Sequence, residues 1–144
     1  MSNISPPAET PCTCAVLRRT ARRVTRFYDQ ALRPVGLRLT QYSVLANIAR
    51  SEGLSITELA ERLEMDRSTL TRNLRPMVRS GWIRIESGAD KRQRAVVITQ
   101  AGKAKFEEAL PLWKKTELTL RSAMGKEEVA LLRDLLDRVL THSQ

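Results

Sequence analysis

Between residues 66 and 80, the side chains that line one face once the apolar pattern is set aside are all cations or hydroxyls. Ser68, Thr71, Arg72, Arg75 and Arg79 stand at offsets 0, 3, 4, 7 and 11, a spacing that lines them along one helix face, with Arg67 and Thr69 beside its first turn. The chemistry on offer is anion recognition, not bond making. A helix fits the DNA major groove, where arginine pairs with guanine edges and short hydroxyls reach bases or phosphates. Arg72 and Thr71 are the candidate base readers. Arg67, Ser68 and Thr69, at the positive end of the helix dipole, are candidates for bases or phosphates. A second basic feature follows at Asp90, Lys91, Arg92, Gln93 and Arg94, with net charge +2 on a short strand connection. A slender loop of that kind can enter a minor groove, whose narrow A·T tracts concentrate negative potential. The plain alternative is a solvated basic surface, and it is the surrounding elements that argue against it.

Composition points the same way. The chain has 144 residues, 25 of them Lys or Arg against 16 Asp or Glu, for a net charge of +9, and a pI near 10.4. A polyanion is the partner to expect, nucleic acid first and an anionic membrane surface second. With 42% hydrophobic residues the chain can fold around a core, while 4% aromatics leave little for the stacking platforms that grip single strands. Double-stranded DNA is the better match. The excess charge is also focused: residues 12–38 carry +6 and 66–99 carry +5, whereas 39–65 carry −2 and 100–144 carry +1. Focused charge builds a field that a phosphate backbone can find.

Catalytic and metal chemistry find no material. His142 is the one histidine and lies two residues from the last, and Cys12 and Cys14 form a CxC pair without the further ligands a zinc site needs. No nucleophile–base pair or phosphate loop is present, so neither an enzyme nor a bound cofactor or metal is expected. No apolar run exceeds four residues, far short of a membrane span, and a reducing cytoplasm is the expected compartment.

The elements that would hold these groups follow from periodicity. Residues 1–11, with Pro6, Pro7 and Pro11, read as a disordered lead, and residues 12–144 as a single domain. Leu17, Ala21, Val24, Tyr28, Ala31 and Val35 draw one apolar stripe along a first helix over about 13–33. Thr40 is the expected N-cap of a helix through Tyr42, Val44, Leu45 and Ile48. Ser55 and Glu58 have capping-box spacing before Ile56, Leu59, Ala60 and Leu63, and Asp66 opens the 66–80 helix, with Gly81 at its end. Two short helices joined by a three-residue turn outline a helix-turn-helix. Alternation at Ile83, Ile85, Val96 and Ile98 then gives a β-hairpin over 82–99. Thr99 caps a long helix in which Pro111 predicts a kink, and a last helix follows Gly125.

The runs Leu59-Ala60-Glu61-Arg62-Leu63, Asp66-Arg67-Ser68-Thr69-Leu70-Thr71-Arg72, Gly81-Trp82-Ile83, and Asp90-x-Arg92 leading to Val96-x-Ile98-Thr99 resemble the winged helix-turn-helix transcription factors of the MarR family. The resemblance spans the chain from the first helix onward. It implies a mainly α (α+β) fold, a winged helix-turn-helix over 39–99 with recognition helix 66–80 and wing 82–99. The N- and C-terminal helices, 12–38 and 100–144, would intertwine as dimerisation helices. It also implies a homodimeric regulator, usually a repressor, with Arg92 in the minor groove and Asp90 as a wing brace. Two departures stand out. Glu64 replaces a frequent turn glycine, and either adopts a left-handed backbone at about 1 kcal/mol or extends the preceding helix. Pro76 predicts a bend after the base-reading half of the recognition helix.

Dimerisation has a second footing, since a three-helix core of this size cannot cover the apolar stripes of both terminal helices. A twofold pair would read a palindrome with half-sites about 10 to 11 base pairs apart. The resemblance further implies a small-molecule effector, often an aromatic acid, bound between the two parts. Arg22, Arg26, Tyr28, Tyr42 and Trp113 are the candidates, each with an ordinary core or surface role as the alternative. Two other mechanisms stay open. Cys12 and Cys14, beside Arg18 and Arg19, could act as a thiol switch through interchain disulfides. The winged domain could instead be a protein-docking adaptor for an acidic partner.

Overall fold

The computed structural model describes residues 11–87 and 94–144; the lead and the hairpin tip, including Asp90, Lys91, Arg92 and Gln93, lie outside the described residues. Six helices and a small sheet follow in the order α1 (Thr13–Leu32), α2 (Leu39–Ala49), β1 (Leu54–Ser55), α3 (Ile56–Arg62), α4 (Arg67–Arg79), β2 (Ile83–Ser87), β3 (Arg94–Ile98), α5 (Gln100–Met124) and α6 (Lys126–His142). A 3₁₀ turn over Arg33–Val35 ends α1, where Pro34 supplies no N–H, and Gly36 reverses the chain at φ 73°.

The sheet is antiparallel in the order β1-β3-β2. The hairpin pairs Ile83 with Ile98 and Ile85 with Val96. Leu54 pairs with Val96 on the other side of β3. That third strand is missing from the periodicity, because two residues make no period. It makes β3 central, and Val96 is fully buried.

Local side-chain caps open α3, α4 and α5. Ser55 Oγ accepts from the Glu58 N–H at 3.0 Å while Glu58 Oε2 accepts from the Ser55 N–H at 2.9 Å. Thr99 Oγ1 accepts from the Gly102 N–H at 3.0 Å. A Cβ at Gly102 would stand 2.0 Å from the Trp82 carbonyl oxygen, so only glycine lets α5 begin against the end of the α4–β2 turn. The start of α2 corrects the sequence reading: the N-cap position is Arg38, and Thr40 lies inside the first turn. Arginine has no acceptor to cap with. Acceptors arrive from elsewhere, as Gln41 Oε1 takes the Arg38 N–H at 3.0 Å and Asp29 Oδ1, on α1, takes the Leu39 N–H at 2.7 Å. Pro111 and Pro76 each lie within a helix that continues past them.

Glu64 is left-handed, at φ 47°. The turn around it is a Schellman arrangement: the Glu64 N–H reaches the Glu61 carbonyl at 3.1 Å and the Met65 N–H reaches the Ala60 carbonyl at 2.9 Å. The α3–α4 turn therefore carries a strained Cβ that glycine would relieve. Glu64→Gly should stabilise the chain by up to about 1 kcal/mol, the relief exceeding the extra entropy of an unfolded glycine. A thermal melt should rise by roughly 2–4 °C; a fall would mean the strain is not there.

The core joins α2, α3, α4 and the sheet through Leu45, Ile48, Leu59, Leu70, Leu74, Met77, Ile83 and Val96, with Leu32 of α1 and Ala109 of α5. The terminal helices are different. In α1 only Tyr28 and Leu32 are buried, and α6 buries nothing. Leu131, Leu132, Leu135, Leu136, Val139 and Leu140 of α6 and Leu118 of α5 all face solvent.

One polar cluster ties α1, α5 and α6 together. The Tyr28 hydroxyl donates to Glu117 Oε2, Arg121 Nε donates to Glu117 Oε1 at 2.6 Å, and Arg133 lies 3.9 Å away. Burial, then the bond to Glu117, pushes the Tyr28 hydroxyl above its ordinary range. Burial alone would raise Glu117, but the Tyr28 hydroxyl and Arg121 together hold it below its ordinary value near 4.5. Tyr28→Phe should cost about 1 kcal/mol by leaving that carboxylate short of a donor. Because the folded value of Glu117 is depressed, its stabilisation is present above pH 4.5 and is lost as pH falls through the folded value. The raised tyrosine keeps its contribution below pH 10.0 and loses it as pH climbs towards the folded value. The wild-type minus Tyr28→Phe difference in unfolding free energy should thus be flat across neutral pH and shrink at both ends; a difference that peaks in acid contradicts this assignment.

Candidate nucleic-acid interface

The reading face is built on α4, whose start is fixed by Asp66. Its carboxylate accepts from the Thr69 N–H at 3.0 Å, the Thr69 hydroxyl at 2.7 Å and the Ser68 hydroxyl at 2.6 Å. The Ser68 hydroxyl foremost, then Thr69, holds this carboxyl well below the usual range, so the cap stays ionised. Leu70, Leu74 and Met77 are fully buried. At 100° per residue, Ser68, Arg72, Arg75 and Arg79 fall within an arc of about 60° on the opposite side. All four are exposed, as is Arg67.

The hydroxyls are more constrained than their residue types imply. Thr71 Oγ1 donates to the Arg67 carbonyl at 2.8 Å, and the Ser68 and Thr69 protons are directed at Asp66. What Ser68 and Thr71 turn outward is therefore lone pairs, suited to the amino groups of adenine or cytosine. Thr69 is half-buried and bound to Asp66 through both its hydroxyl and its N–H, which leaves it a capping role. The guanidiniums supply the outward donors.

Two grooves flank α4. One, of about 370 Å³, separates α4 from the start of α2 and is lined by Arg38, Gln41, Arg72, Asn73 and Pro76 among others. The other, of about 440 Å³, separates α4 from the sheet and is lined by Thr71, Arg75, Val78, Arg79, Ile85 and Arg94. Arg94, the first residue of β3, is thereby brought beside Arg75. Lys91 and Arg92, with the proposed brace Asp90, lie outside the described residues. Arg38 escaped sequence reasoning altogether, since its place beside Arg72 depends on how α2 packs; Arg79 was visible as part of the face, but not as part of a groove.

The five effector candidates do not gather at one site; only Tyr42 and Trp113 meet. Tyr42 stacks on Trp113 with ring centroids 5.5 Å apart and meets Phe106 at the same distance, so both rings serve the core. Tyr28 is occupied by Glu117, and Arg22 and Arg26 are exposed one turn apart on α1. The groove of about 370 Å³ between α1 and α5 is lined by Phe27, Ala31, Pro34, Leu112, Lys115 and Thr116 among others, and by none of the five. Cys12 and Cys14 are exposed free thiols at the head of α1. The His142 ring lies 2.8 Å from the Arg138 carbonyl on α6. Among the described residues, no group of three or more His, Cys, Asp or Glu side chains is placed to hold a metal, and no helix is long and apolar enough to cross a membrane.

Known proteins share this arrangement. A family model described as MarR family matches residues 35–93. The chain is 32% identical over 117 residues to the multiple antibiotic resistance protein MarR of Escherichia coli, covering 80% of this chain and 81% of that protein. It is similar to the M. tuberculosis transcriptional regulator MosR in a crystal structure with DNA, with a TM-score of 0.84 and 38% identity over 92% of this chain and 97% of that one. A mutant of E. coli MarR complexed with operator DNA gives a TM-score of 0.81 at 28% identity, over 88% and 92% of the two chains.

Proposed function

This chain belongs to the MarR family, and from that premise we propose that it works as a homodimeric repressor that reads a palindromic operator. As a member of the family it is a DNA-binding transcriptional regulator and not an enzyme. The observation that carries the finer reading is the ridge of Ser68, Arg72, Arg75 and Arg79, set diametrically against a buried Leu70–Leu74–Met77 seam. A rigid cationic edge of that kind enters the major groove, with Arg72 on guanine and Thr71 or Ser68 accepting from neighbouring bases. Arg67, Arg75 and Arg94 take phosphates, and in the wing Lys91 and Arg92 reach the minor groove with Asp90 bracing them.

Residues 39–99 are the DNA-binding part, and 12–38 with 100–144 the dimerisation part. The six exposed apolar side chains of α6 support this division, since a face of that extent is seldom left in water. In the cytoplasm, a small anionic effector would release the operator; Arg22 and Arg26 are the two candidates free to meet its carboxylate. A thiol switch is the second reading, favoured by the exposure of both Cys12 and Cys14 at the head of a dimerisation helix. Peroxide treatment followed by non-reducing electrophoresis and DNA binding separates the two.

Selection of bound duplexes from a random pool, followed by titration of the winner and a scrambled duplex over a salt series, tests the proposal. A winner bound at least about a thousandfold more tightly than its scrambled form is expected. Equal affinity for both would return the basic face to a general adhesive role or to an acidic protein partner.

A further inference from the structure

Two polar bonds clasp the linker through which α1 passes into α2. At its centre Gly36 is left-handed at φ 73°, and a Cβ built there would meet nothing within 4 Å among the described residues, so that turn is not held by packing around it. Bonds flank it instead. Before it, Lys105 Nζ of α5 donates to the Val35 carbonyl at 3.0 Å; after it, the Leu39 N–H donates to Asp29 Oδ1 of α1 at 2.7 Å.

Lys105 also lies 3.3 Å from Glu108 Oε2 and 5.8 Å from the centre of the Trp82 ring, within cation–π range. One cation thus meets the end of α1, α5 and the turn that follows α4. That turn and α5 already move as one piece, because the Thr99 N–H donates to the Trp82 carbonyl at 3.1 Å and Ala109 and Trp113 of α5 join the core around α2 and α4. The angle left to fix is the one at Gly36.

We infer that Lys105 and Asp29 are positioning residues that set the angle between α1 and the DNA-binding part, and with it the separation of the two recognition helices in a dimer. The inference rests on the dimeric reading above and concerns two residues outside its DNA contacts. Leverage makes the angle matter. The 20 residues of α1 span about 30 Å, so a rotation of about 10° at Gly36 displaces the far end by about 5 Å, more than the roughly 3.4 Å rise of a base pair.

Lys105→Met keeps an apolar stem against Trp82 and removes the donor. It should bind an isolated half-site as the wild type does but lose about tenfold on the full operator, part of the gain that linkage confers. Its dependence on half-site spacing should also flatten, so that one inserted base pair is penalised several-fold less than in the wild type. Asp29→Ala should flatten the profile likewise, whereas Asp29→Asn keeps an acceptor and should not.

Fluorescence anisotropy on half-site duplexes and on operators with zero, one or two inserted base pairs, with sedimentation equilibrium on the same samples, separates the outcomes. Dimeric variants that lose affinity only for the full operator, with a flattened profile, support the clasp. Equal losses on half-site and operator, or a variant that is monomeric, would make these residues general supports of the fold and overturn it. Wild-type profiles in both Lys105→Met and Asp29→Ala also overturn it, and leave the regulator reading standing. Wild-type protein indifferent to spacing would take down the paired reader and the clasp together.

Discussion

Aspartate at Leu132 and Leu136 should convert the protein to a folded single chain and lower operator affinity by on the order of 100- to 1000-fold. Both leucines lie on α6, 40% and 37% exposed and outside the buried core, so the substitutions remove only peripheral packing within one chain. In a dimer they would be covered. Burial of a leucine stabilises by about 1.5–3 kcal/mol, and a twofold interface meets each change twice, so four lost leucines and four buried carboxylates outweigh an ordinary association energy. The loss of DNA binding follows from the loss of linkage. Once the first recognition helix is bound, its partner sees DNA at an effective concentration in the millimolar range, and a single chain forgoes that gain. Sedimentation equilibrium and operator titration on one sample provide the check. A variant that stays dimeric, or a monomer with undiminished affinity, would show that α6 is not the dimerisation face.

Arg72→Ala is the second large effect, and its signature is qualitative. Arg72 is exposed at the centre of the α4 ridge, one turn beyond Ser68. A bidentate arginine–guanine pair discriminates by about 1–3 kcal/mol, doubled when two half-sites each lose one. Operator affinity should fall by between about thirtyfold and ten-thousandfold, whereas a scrambled duplex should lose only the charge contribution. Selection repeated with the variant should show one or two relaxed positions in each half-site. Equal losses on every sequence would reassign Arg72 to the phosphates, where its place in the groove beside Arg38 would already account for it.

Sequence alone revealed the parts of the fold that depend on short-range physics. Ser55–Glu58, Asp66 and Thr99 cap helices through partners three residues away, and the Leu70–Leu74–Met77 seam follows a 3.6-residue period, so all of it can be read along the chain. The same holds for the arginine ridge, which is what remains when that seam is removed. What stayed hidden depends on contacts across the chain. Arg38 begins α2 because Asp29 supplies an acceptor from the preceding helix, and no local rule foresees an arginine there. β1 exists only through β3, since two residues carry no pattern. Tyr42 and Trp113 stand far apart in the sequence, where a core role was the plain alternative to a ligand, and their stacking on each other comes from how α2 packs on α5. The hydroxyls of Ser68, Thr69 and Thr71 are on the expected helix, yet their protons point back to Asp66 and Arg67, a detail that rotamers settle and spacing does not.

Phasing of the two half-sites probes most directly the idea that a paired scaffold holds two reading edges one helical turn apart. The operator recovered by selection is rebuilt with zero to ten base pairs inserted between its halves, and the affinity of each duplex is measured. A sharp maximum at the native spacing is expected, with half-site centres about 10 to 11 base pairs apart and the deepest loss near a half-turn insertion of about five base pairs. Affinity indifferent to the insertion would contradict the account, because two independently acting helices have no pitch to match.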